Sequence, residues 1–573
     1  MRYRMKHVGV AAAALGALVA ASGGAALAEP GPTPWTYKQA TFKAQDVEVD
    51  KLTAAKHMTK DLEAPARAFT GPTSMIVNPD NPRIVVAATA ELRSKTCYLA
   101  VSKDAGMTWH LSDGLPTDPA YPYCTNTTAG VPHAAVAWGR EGTLYYAHMA
   151  YGEGEGPREN HASAILAQTT DLGKTWKTTL VENNRGTPVG SPTVGSVPGL
   201  TVDTSGPRDT VYVGYSRSYP DAPPGDPLRN PHVMVATSTD AGNTFGPGVD
   251  LNTFNRPNLN VAGKDYSLYM RTGFGAPFLF AHDGVLLAVA GPDFPFNDQP
   301  QPPPEAGSGL TPGSWYAYPM PQLIGRSTDQ GKTWTITPLG DPILAGTGSY
   351  TGLGWTPKGG PKGTMVAAYA ATPATSPTIA LADIVVQRST DGGVTWTSPV
   401  AIDDDPPEMR ATSFYPQLNV APNGRIDVAW QDDRETTDFH FNVRYTYSTD
   451  GGVSWAKNVR VSDAPLNFNY GISFNSDIRQ PVGVASANQY VMIGWADTRN
   501  ATDLTQTQDN YASAVQFAPL PTTKNTTAPV IAAIFGGLVV AGIVLLLVLG
   551  LRRRGGGATP APRAATTTST VRT

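Results

Sequence analysis

The chain of 573 residues exceeds the usual length of one globular domain, so it holds either several domains or one repeat architecture with a long continuous core. Charged residues make up only 16%, while 58 Gly and 51 Pro indicate many short strands and turns and disfavour a body of long charged helices. Eight of the 43 Lys and Arg lie in two terminal segments, which leaves 35 against 47 Asp and Glu, a net charge of about −12 that argues against a nucleic-acid partner.

The first 28 residues have the pattern of a secretory signal peptide. Arg2, Arg4 and Lys6 precede an apolar run over residues 8–21. Small residues at 26–28 then form a cleavage site. A retained anchor helix fits less well, because this apolar run is short for a membrane span. We therefore predict that export removes residues 1–28.

Cys97 and Cys124 are the two cysteines of the chain and lie 27 residues apart. In an oxidising compartment such a pair favours a disulfide, which the loop-entropy model gives a stabilisation of about 3–4 kcal/mol. Two free thiols or half of a metal site are the alternatives, but no other thiol and no closely spaced His pair accompanies them. We predict a disulfide, no metal site and no cofactor.

One eight-residue pattern occurs six times. Each copy begins with Ser or Thr, has Asp two positions and Gly four positions later, and ends in an aromatic residue. The copies are 102–109, 169–176, 238–245, 327–334, 389–396 and 448–455. A carboxylate can accept N–H groups across a tight turn, Gly can take a positive φ, and the aromatic ring can bury apolar surface between sheets. One carboxylate per turn is too few for a calcium site, so we predict a structural role for Asp104, Asp171, Asp240, Asp329, Asp391 and Asp450.

This pattern is similar to the Asp box of the sialidase-like, or BNR-repeat, β-propellers. The resemblance covers most of the chain between the terminal segments and implies an all-β propeller with four strands in each blade. Around the boxes, short alternating runs are separated by turn residues, most clearly from residue 415 onward.

A seventh unit follows the last box but has no box and only three strand-like runs, at 480–488, 489–499 and 510–517. Residues 41–50, which precede the first blade, can supply the missing outer strand and close the ring without a free edge. We therefore predict a seven-bladed propeller over residues 29–518. Six blades, the number in sialidases, is the alternative.

Pairs of an acid and Arg recur two positions apart at the ends of second strands, a spacing that places both side chains on one side of a strand. The candidates are Asp432 with Arg434, Asp497 with Arg499, Glu91 with Arg93, and Arg217 in blade three. One interpretation is an ion pair that fixes the strand end. The other is a ring of guanidinium groups that binds a planar anion at the mouth of the channel. Sialidases bind the carboxylate of sialic acid with an arginine triad, so the resemblance implies that Arg93, Arg434 and Arg499 bind ligand.

The resemblance also implies a Tyr nucleophile activated by Glu. The pairing that this sequence offers is Tyr415 with Glu408 or Glu435, and the alternative is that Tyr415 packs between blades. The Phe/Tyr-Arg-Ile-Pro segment of sialidases is not matched, since Asn-Pro-Arg-Ile-Val stands at 81–85. Paired carboxylates from 403–405 and 432–433 are a second route to glycosidase chemistry.

Residues 528–551 are 24 uncharged, mostly apolar residues followed by three arginines. This length crosses a bilayer, and the arginines place the tail, 552–573, in the cytoplasm. Residues 519–527 form a linker. Leu520–Lys524 is similar to a cell-wall sorting signal, but Lys524 stands where that signal has Gly. We therefore predict a single-pass membrane protein with its propeller outside the cell.

Two functions are consistent with the sequence. The first is a cell-surface propeller that binds a glycan, peptide or protein ligand on its loop face without turnover. The second is an exo-α-sialidase-like glycoside hydrolase that releases terminal acidic sugars. Complete fold signals beside incomplete catalytic ones favour the first, because fold alone does not establish activity.

Overall fold

The computed structural model describes the following residues, to which all structural statements below refer: 47–48, 74–92, 94–116, 123–124, 134–151, 162–182, 193–218, 232–261, 263–271, 277–293, 320–345, 351–372, 382–405, 411–436, 439–470, 482–502 and 507–518.

These residues form a propeller of seven antiparallel blades. The strands of each blade are given from the innermost to the outermost. Strand β1 (Val47–Glu48) belongs to the last blade. Blade 1 contains β2 (Ser74–Val77), β3 (Val85–Glu91), β4 (Thr96–Ser102) and β5 (His110–Leu111). Blade 2 contains β6 (Ala135–Trp138), β7 (Leu144–Tyr151), β8 (Ala162–Thr169) and β9 (Lys177–Glu182). Blade 3 contains β10 (Thr193–Asp203), β11 (Thr210–Ser218), β12 (His232–Ser238) and β13 (Val249–Asp250).

Between blades 3 and 4 the chain forms a hairpin and one short strand. The hairpin contains β14 (Asn258–Val261) and β15 (Lys264–Ser267), and the short strand is β16 (Tyr269–Arg271). Blade 4 contains β17 (Phe278–His282), β18 (Val285–Asp293), β19 (Met320–Ser327) and β20 (Thr335–Ala345). Blade 5 contains β21 (Thr351–Thr356), β22 (Thr364–Thr372), β23 (Asp383–Ser389) and β24 (Val400–Ala401). Blade 6 contains β25 (Ser413–Val420), β26 (Ile426–Asp432), β27 (His440–Ser448) and β28 (Val459–Arg460), with β29 (Leu466–Asn467) added beside β27. Blade 7 contains β30 (Gly483–Ser486), β31 (Tyr490–Asp497) and β32 (Asp509–Gln516). Two 3₁₀ turns occupy Arg140–Gly142 and Leu251–Thr253.

The seventh blade is completed by the N-terminal segment. Val47 and Glu48 of β1 pair with Ala512 and Tyr511 of β32. The predicted closure of the ring is therefore confirmed for these two residues. Seven blades are confirmed, and the six-bladed alternative is wrong.

The second strands of the blades are buried on both faces. All seven residues of β3 and of β26 and all eight of β31 are buried, because each blade packs between two neighbours. Such strands consequently read as nearly continuous apolar runs instead of alternating ones. Trp430 and Trp495 are among the largest fully buried side chains.

The Asp boxes form the turns between the third and fourth strands. In every box the first hydroxyl donates to Asp Oδ1 at 2.7–2.8 Å. The hydroxyl of the seventh residue donates to Asp Oδ2 at 2.5–2.7 Å. The Gly has a φ between 76° and 85°. The backbone N–H of the seventh residue also donates to Asp Oδ1 at 2.8–3.0 Å, and this bond and the positive φ of Gly are the features that the turn interpretation predicts.

One disulfide joins Cys97 of β4 to Cys124, so the predicted bridge is confirmed. Both cysteines are buried in the apolar cluster between blades 1 and 2.

The chain divides into two compact units, Met1–Pro519 and Leu520–Thr573, and every described residue belongs to the first. The predicted signal peptide (1–28), linker (519–527), membrane span (528–551) and tail (552–573) lie outside the described residues. Within the described part, no helix has the length and apolar character needed to cross a membrane.

Candidate functional site

The propeller has two faces with different contents. Asp432 ends β26 and pairs with Ser413, the first residue of the inner strand β25. We call this end of the blades the loop face. The residue at which the sixth box begins, Ser448, pairs with Ile426 at the opposite end of β26. The Asp boxes therefore lie on the other face, which we call the turn face.

Asp432 is the centre of a polar network on the loop face. Its carboxylate is fully buried, and its Oδ2 accepts a hydrogen bond from Ser413 Oγ at 3.0 Å. Arg434 Nε lies 2.9 Å from both carboxylate oxygens, and Arg444 Nε lies 3.0 Å from Oδ1. Arg434 then reaches the connection between blades 5 and 6, where Nη1 donates to Asp404 at 2.8 Å and Nη2 to Asp405 at 3.2 Å.

We refer to Asp432, Arg434, Arg444, Asp404, Asp405 and Glu435 as the Asp432 cluster. The sequence places the acidic runs 403–405 and 432–433 as potential neighbours, and Arg434 does join them. The network fixes Arg434 by three carboxylates, which leaves its guanidinium 8% exposed.

Glu435 forms the outer edge of this cluster. Its Oε1 accepts from Arg444 Nη2 at 2.6 Å, and its Oε2 lies 3.4 Å from Arg460 Nη1. Burial raises the pKa of Glu435, but the hydrogen bond and charge of Arg444 outweigh burial and hold the pKa below its ordinary value. Both oxygens are therefore engaged by arginines, which weakens Glu435 as the base for Tyr415. Glu408 lies outside the described residues.

The pKa of three carboxyls in or next to the cluster is shifted in the opposite direction. Burial, and then the charge of Asp383, raises the pKa of Asp403 to about 8. Burial is also the main cause of the raised pKa of Asp405 and of Asp433. Near neutral pH, the raised pKa of Asp403 thus favours a protonated carboxyl in the connection between blades 5 and 6.

Tyr415 follows Ser413 in β25 and has a φ of 56°, in the left-handed region. It sits in a bulge, because the register with β26 shifts between Phe414 and Gln417. A bulky residue in this conformation costs of the order of 1–3 kcal/mol, which the surrounding packing must offset. Its ring contacts Phe414 edge-on at a centroid distance of 4.7 Å and packs against the apolar cluster of blades 5 and 6. This contact favours the packing interpretation of Tyr415 over the nucleophile.

Arg499 in blade 7 repeats the arrangement of Arg434. Its Nη2 donates to Asp497 Oδ2 at 2.7 Å, and its Nη1 donates at the same distance to Asp463, in the connection from blade 6. The guanidinium also lies 4.1 Å from the ring centroid of Tyr511. Asp497 is further fixed by Trp495 Nε1 at 3.0 Å.

Arg217 in blade 3 forms an ion pair with Glu182, the last residue of blade 2. Tyr215 Oη donates to the same carboxylate at 2.7 Å. Each of the three candidate arginines that the structure describes thus contacts an acid from the end of the preceding blade or from the connection that follows it. The pairs Asp432–Arg434 and Asp497–Arg499 agree with the ion-pair interpretation, although each Arg lies two residues beyond the end of its strand. Arg93 lies outside the described residues, and the guanidinium ring stays a prediction.

The sequence analysis missed the cross-blade partners Glu182 and Asp463. A usable signal exists, since each acid stands at or just after the end of the strand run that precedes its arginine's blade. Arg444 was missed as well, because it lies within a buried strand and looks like a packing residue.

No family model matches the sequence, and no curated protein matches it. Among solved structures, the Hadza microbial sialidase Hz136 has 15% identity and a TM-score of 0.41 over 76% of this chain and 74% of its own. The α-L-arabinofuranosidase Arb93A of Fusarium graminearum has 14% identity and a TM-score of 0.36 over 64% and 93%. A PL25 ulvan lyase has 12% identity and a TM-score of 0.43 over 79% and 95%.

The strand pairing makes the chain a seven-bladed β-propeller, and its structural neighbours include a sialidase, an α-L-arabinofuranosidase and a polysaccharide lyase. At these identities the likeness concerns the fold alone.

Proposed function

We propose that this chain is an exported, membrane-anchored propeller that binds a ligand at the Asp432 cluster without turning it over. The observation that carries the proposal is the fixation of Arg434 by Asp404, Asp405 and Asp432. The network holds its side chains in one geometry before a ligand arrives, which lowers the entropic cost of binding.

The charge of the cluster determines the kind of ligand. Four carboxylates share the two arginines of the cluster, and the side chains of Asp404 and Glu435 are 38% and 47% exposed. Their oxygens can accept further hydrogen bonds from solvent-side donors. A ligand that donates hydrogen bonds, such as a glycan hydroxyl group or the amine of a peptide or protein, therefore suits the cluster better than an anion.

A sialidase-like glycoside hydrolase is the second candidate. It is favoured by the raised pKa of Asp403 next to further carboxyl groups, because two carboxyls with different pKa values can serve as general acid and general base. Against it stand the engagement of Glu435 by Arg444 and the apolar packing of Tyr415. An acidic sugar would also have to displace the carboxylates that already occupy Arg434 and Arg499.

The binding proposal is tested by applying the detergent-purified full chain to a panel of immobilised glycans and basic peptides. Asp404→Asn should weaken binding about tenfold, because a hydrogen bond to a charged group contributes about 1.5–3 kcal/mol. Arg388→Ala is the matched control, since Arg388 lies next to the fifth box on the turn face. Equal weakening by both variants would contradict the site.

The hydrolase alternative is tested with fluorogenic sialosides and neutral glycosides. Turnover that disappears in both Asp403→Asn and Arg434→Ala would replace the binding proposal. Export and anchoring have a separate test: a mature N-terminus at Glu29, and retention in the membrane pellet after alkaline extraction, are the expected results.

A further inference from the structure

The central channel contains a cavity of about 400 Å³. Inner strands of six of the seven blades line it, through residues of β2, β10, β17, β21, β25 and β30. His282 is the last residue of β17, and Trp355 is the penultimate residue of β21. The neighbouring strand β22 pairs Met365 with Ser389, where the fifth box begins. The aromatic side of this cavity therefore lies towards the turn face, away from the Asp432 cluster.

Three aromatic side chains lie together in the wall of the cavity. The rings of His282 and Trp355 are stacked at a centroid distance of 3.9 Å and an angle of 21°. The ring of Phe280, two positions before His282 in β17, is nearly parallel to that of His282, at a centroid distance of 6.4 Å and an angle of 19°. All three side chains are half-buried, so part of each remains accessible.

The turn that follows β21 holds Trp355 in place. Its Nε1 donates to the carbonyl of Lys362 at 3.2 Å. Gly363 has a φ of 75°, and a Cβ there would lie 2.6 Å from the indole ring. The backbone of the turn therefore packs directly against the ring, and the position of the ring does not depend on a ligand.

Polar groups with unused hydrogen-bonding capacity face the same cavity. Within the described part of the structure, neither the imidazole of His282 nor the amide of Gln417 makes a hydrogen bond. Asn419 donates through Nδ2 to the carbonyl of Val484 at 3.1 Å, which leaves its Oδ1 as an acceptor. A purely apolar guest would bury these groups without partners, which is unfavourable because each would lose its hydrogen bonds to water.

Among the described residues that line the cavity, there is no Asp, Glu, Lys or Arg. A sugar acid, a phosphate or an ammonium group would therefore lose its hydration without meeting an opposite charge. The guest that fits is a neutral ring with an apolar C–H face for the aromatic wall and hydroxyl groups for the amides and the imidazole. The volume of the cavity also agrees with that of small-ligand sites, which is about 300–1,000 Å³.

We infer that this cavity, which we call the channel site, binds one residue of a neutral sugar. Trp355 and His282 contact the C–H face of the sugar, and Gln417, Asn419 and His282 bond to its hydroxyl groups. The site is separate from the Asp432 cluster in position and in charge, so its existence does not depend on the proposed function of the loop face.

Isothermal titration calorimetry of the full chain with methyl glycosides of galactose, glucose and mannose tests the inference. At least one should bind in a saturable manner, with a Kd of roughly 1 mM. Trp355→Ala should abolish this binding, Trp355→Phe should retain part of it, and Gln417→Leu should weaken it about tenfold. Trp176→Phe, a substitution in the second box, is the matched control and should bind like the parent chain.

Several outcomes would overturn the inference. These are the absence of saturable binding by the parent chain, binding that survives both Trp355→Ala and Gln417→Leu, or binding of indole without binding of any glycoside. Loss of sugar affinity in Asp404→Asn would place the sugar on the loop face instead. Unchanged thermal unfolding of Gln417→Leu separates loss of the site from loss of the fold.

Discussion

Two carboxyl groups on the loop face of this propeller, those of Asp403 and Asp432, have opposite properties because their neighbours differ. Asp432 is fully buried, yet Arg434 and Arg444 bond to both of its oxygens. Asp403 is partly buried, its strongest charge interaction is with the carboxyl of Asp383, and the backbone N–H of Ile384 donates to its Oδ2 at 2.9 Å. Burial without a cation thus keeps Asp403 protonated, while paired arginines make a buried Asp432 tolerable.

The raised pKa of Asp403 makes the stability of the protein depend on pH. Its pKa is about 8 in the folded chain and near 3.8 when unfolded, so its contribution is complete below about pH 4 and is lost as pH rises towards 8. Asp403→Asn cannot ionise. The variant should therefore gain at least about 1 kcal/mol relative to the parent chain between pH 4 and pH 8. Urea unfolding at both pH values measures the difference, and the exposed Asp113→Asn should show no such trend.

The Asp boxes predict the reverse dependence at lower pH. Hydrogen bonds from Thr333 hold the pKa of Asp329 at about 2, so its contribution is complete above about pH 4 and is lost as pH falls towards 2. Asp329→Asn should destabilise the fold at pH 5 and lose most of that difference at pH 2.5. Thermal unfolding at the two pH values provides the measurement. An equal loss at both would show that the charge of Asp329 is irrelevant.

At the scale of elements, the box turn needs two consecutive residues in the left-handed region. The sequence analysis predicted only the Gly, but the residue before it also has a positive φ in every box, 59–63° where it is Ala105, Leu172, Ala241 or Gln330. Blades 5 and 6 have Gly at this position, Gly392 and Gly451. In the fifth box, the two positions differ in the room available for a side chain. A Cβ on Gly393 would lie 3.0 Å from Leu287, whereas a Cβ on Gly392 would meet only Arg326, at 3.9 Å.

This difference gives a matched pair of substitutions in one turn. Gly393→Ala combines the strain of a positive φ with a close contact and should lower the free energy of unfolding by about 1–3 kcal/mol. Gly392→Ala has the same strain in open space and should cost less than about 1 kcal/mol, as the Ala at the first and third boxes suggests. Chemical unfolding measures the free energy of unfolding of the two variants, and an equal loss in both would contradict the steric argument.

Local signals explain why the fold was predictable and most of the site was not. A box spans eight residues and contains the groups that bond to its Asp carboxylate, so its turn can be recognised in the sequence alone. Arg434, in contrast, contacts Asp404 across 30 positions of sequence, and His282 stacks on Trp355 across a blade boundary. Nothing in a strand's alternation encodes which residue of the next blade it will meet, so the channel site and the acids Glu182 and Asp463 emerged only from the structure.

At the scale of the whole molecule, the first and last blades must meet for the ring to close. Besides the β1 pairing, Tyr490 Oη of blade 7 donates to the carbonyl of Pro82 at 2.5 Å. Asn510 Nδ2 of the same blade donates to Thr89 Oγ1 of blade 1 at 2.7 Å. These residues are separated by 408 and 421 positions, so closing the ring orders a very long loop. Contacts of such sequence separation carry a large loop-closure cost, and they join the first blade to the last.

Replacing residues 41–50 by Gly and Ser of equal length removes β1 and tests this closure. The change should lower the free energy of unfolding by about 1–3 kcal/mol, since each backbone hydrogen bond lost contributes about 0.5–1.5 kcal/mol. It should also expose the edge of β32 and promote pairing between molecules, because an uncovered strand presents free N–H and C=O groups. Thermal unfolding and size-exclusion chromatography provide the readouts. The same replacement at 31–40 controls for composition and length. If the variant at 41–50 equals this control in thermal unfolding and in size-exclusion chromatography, β1 does not hold the ring closed.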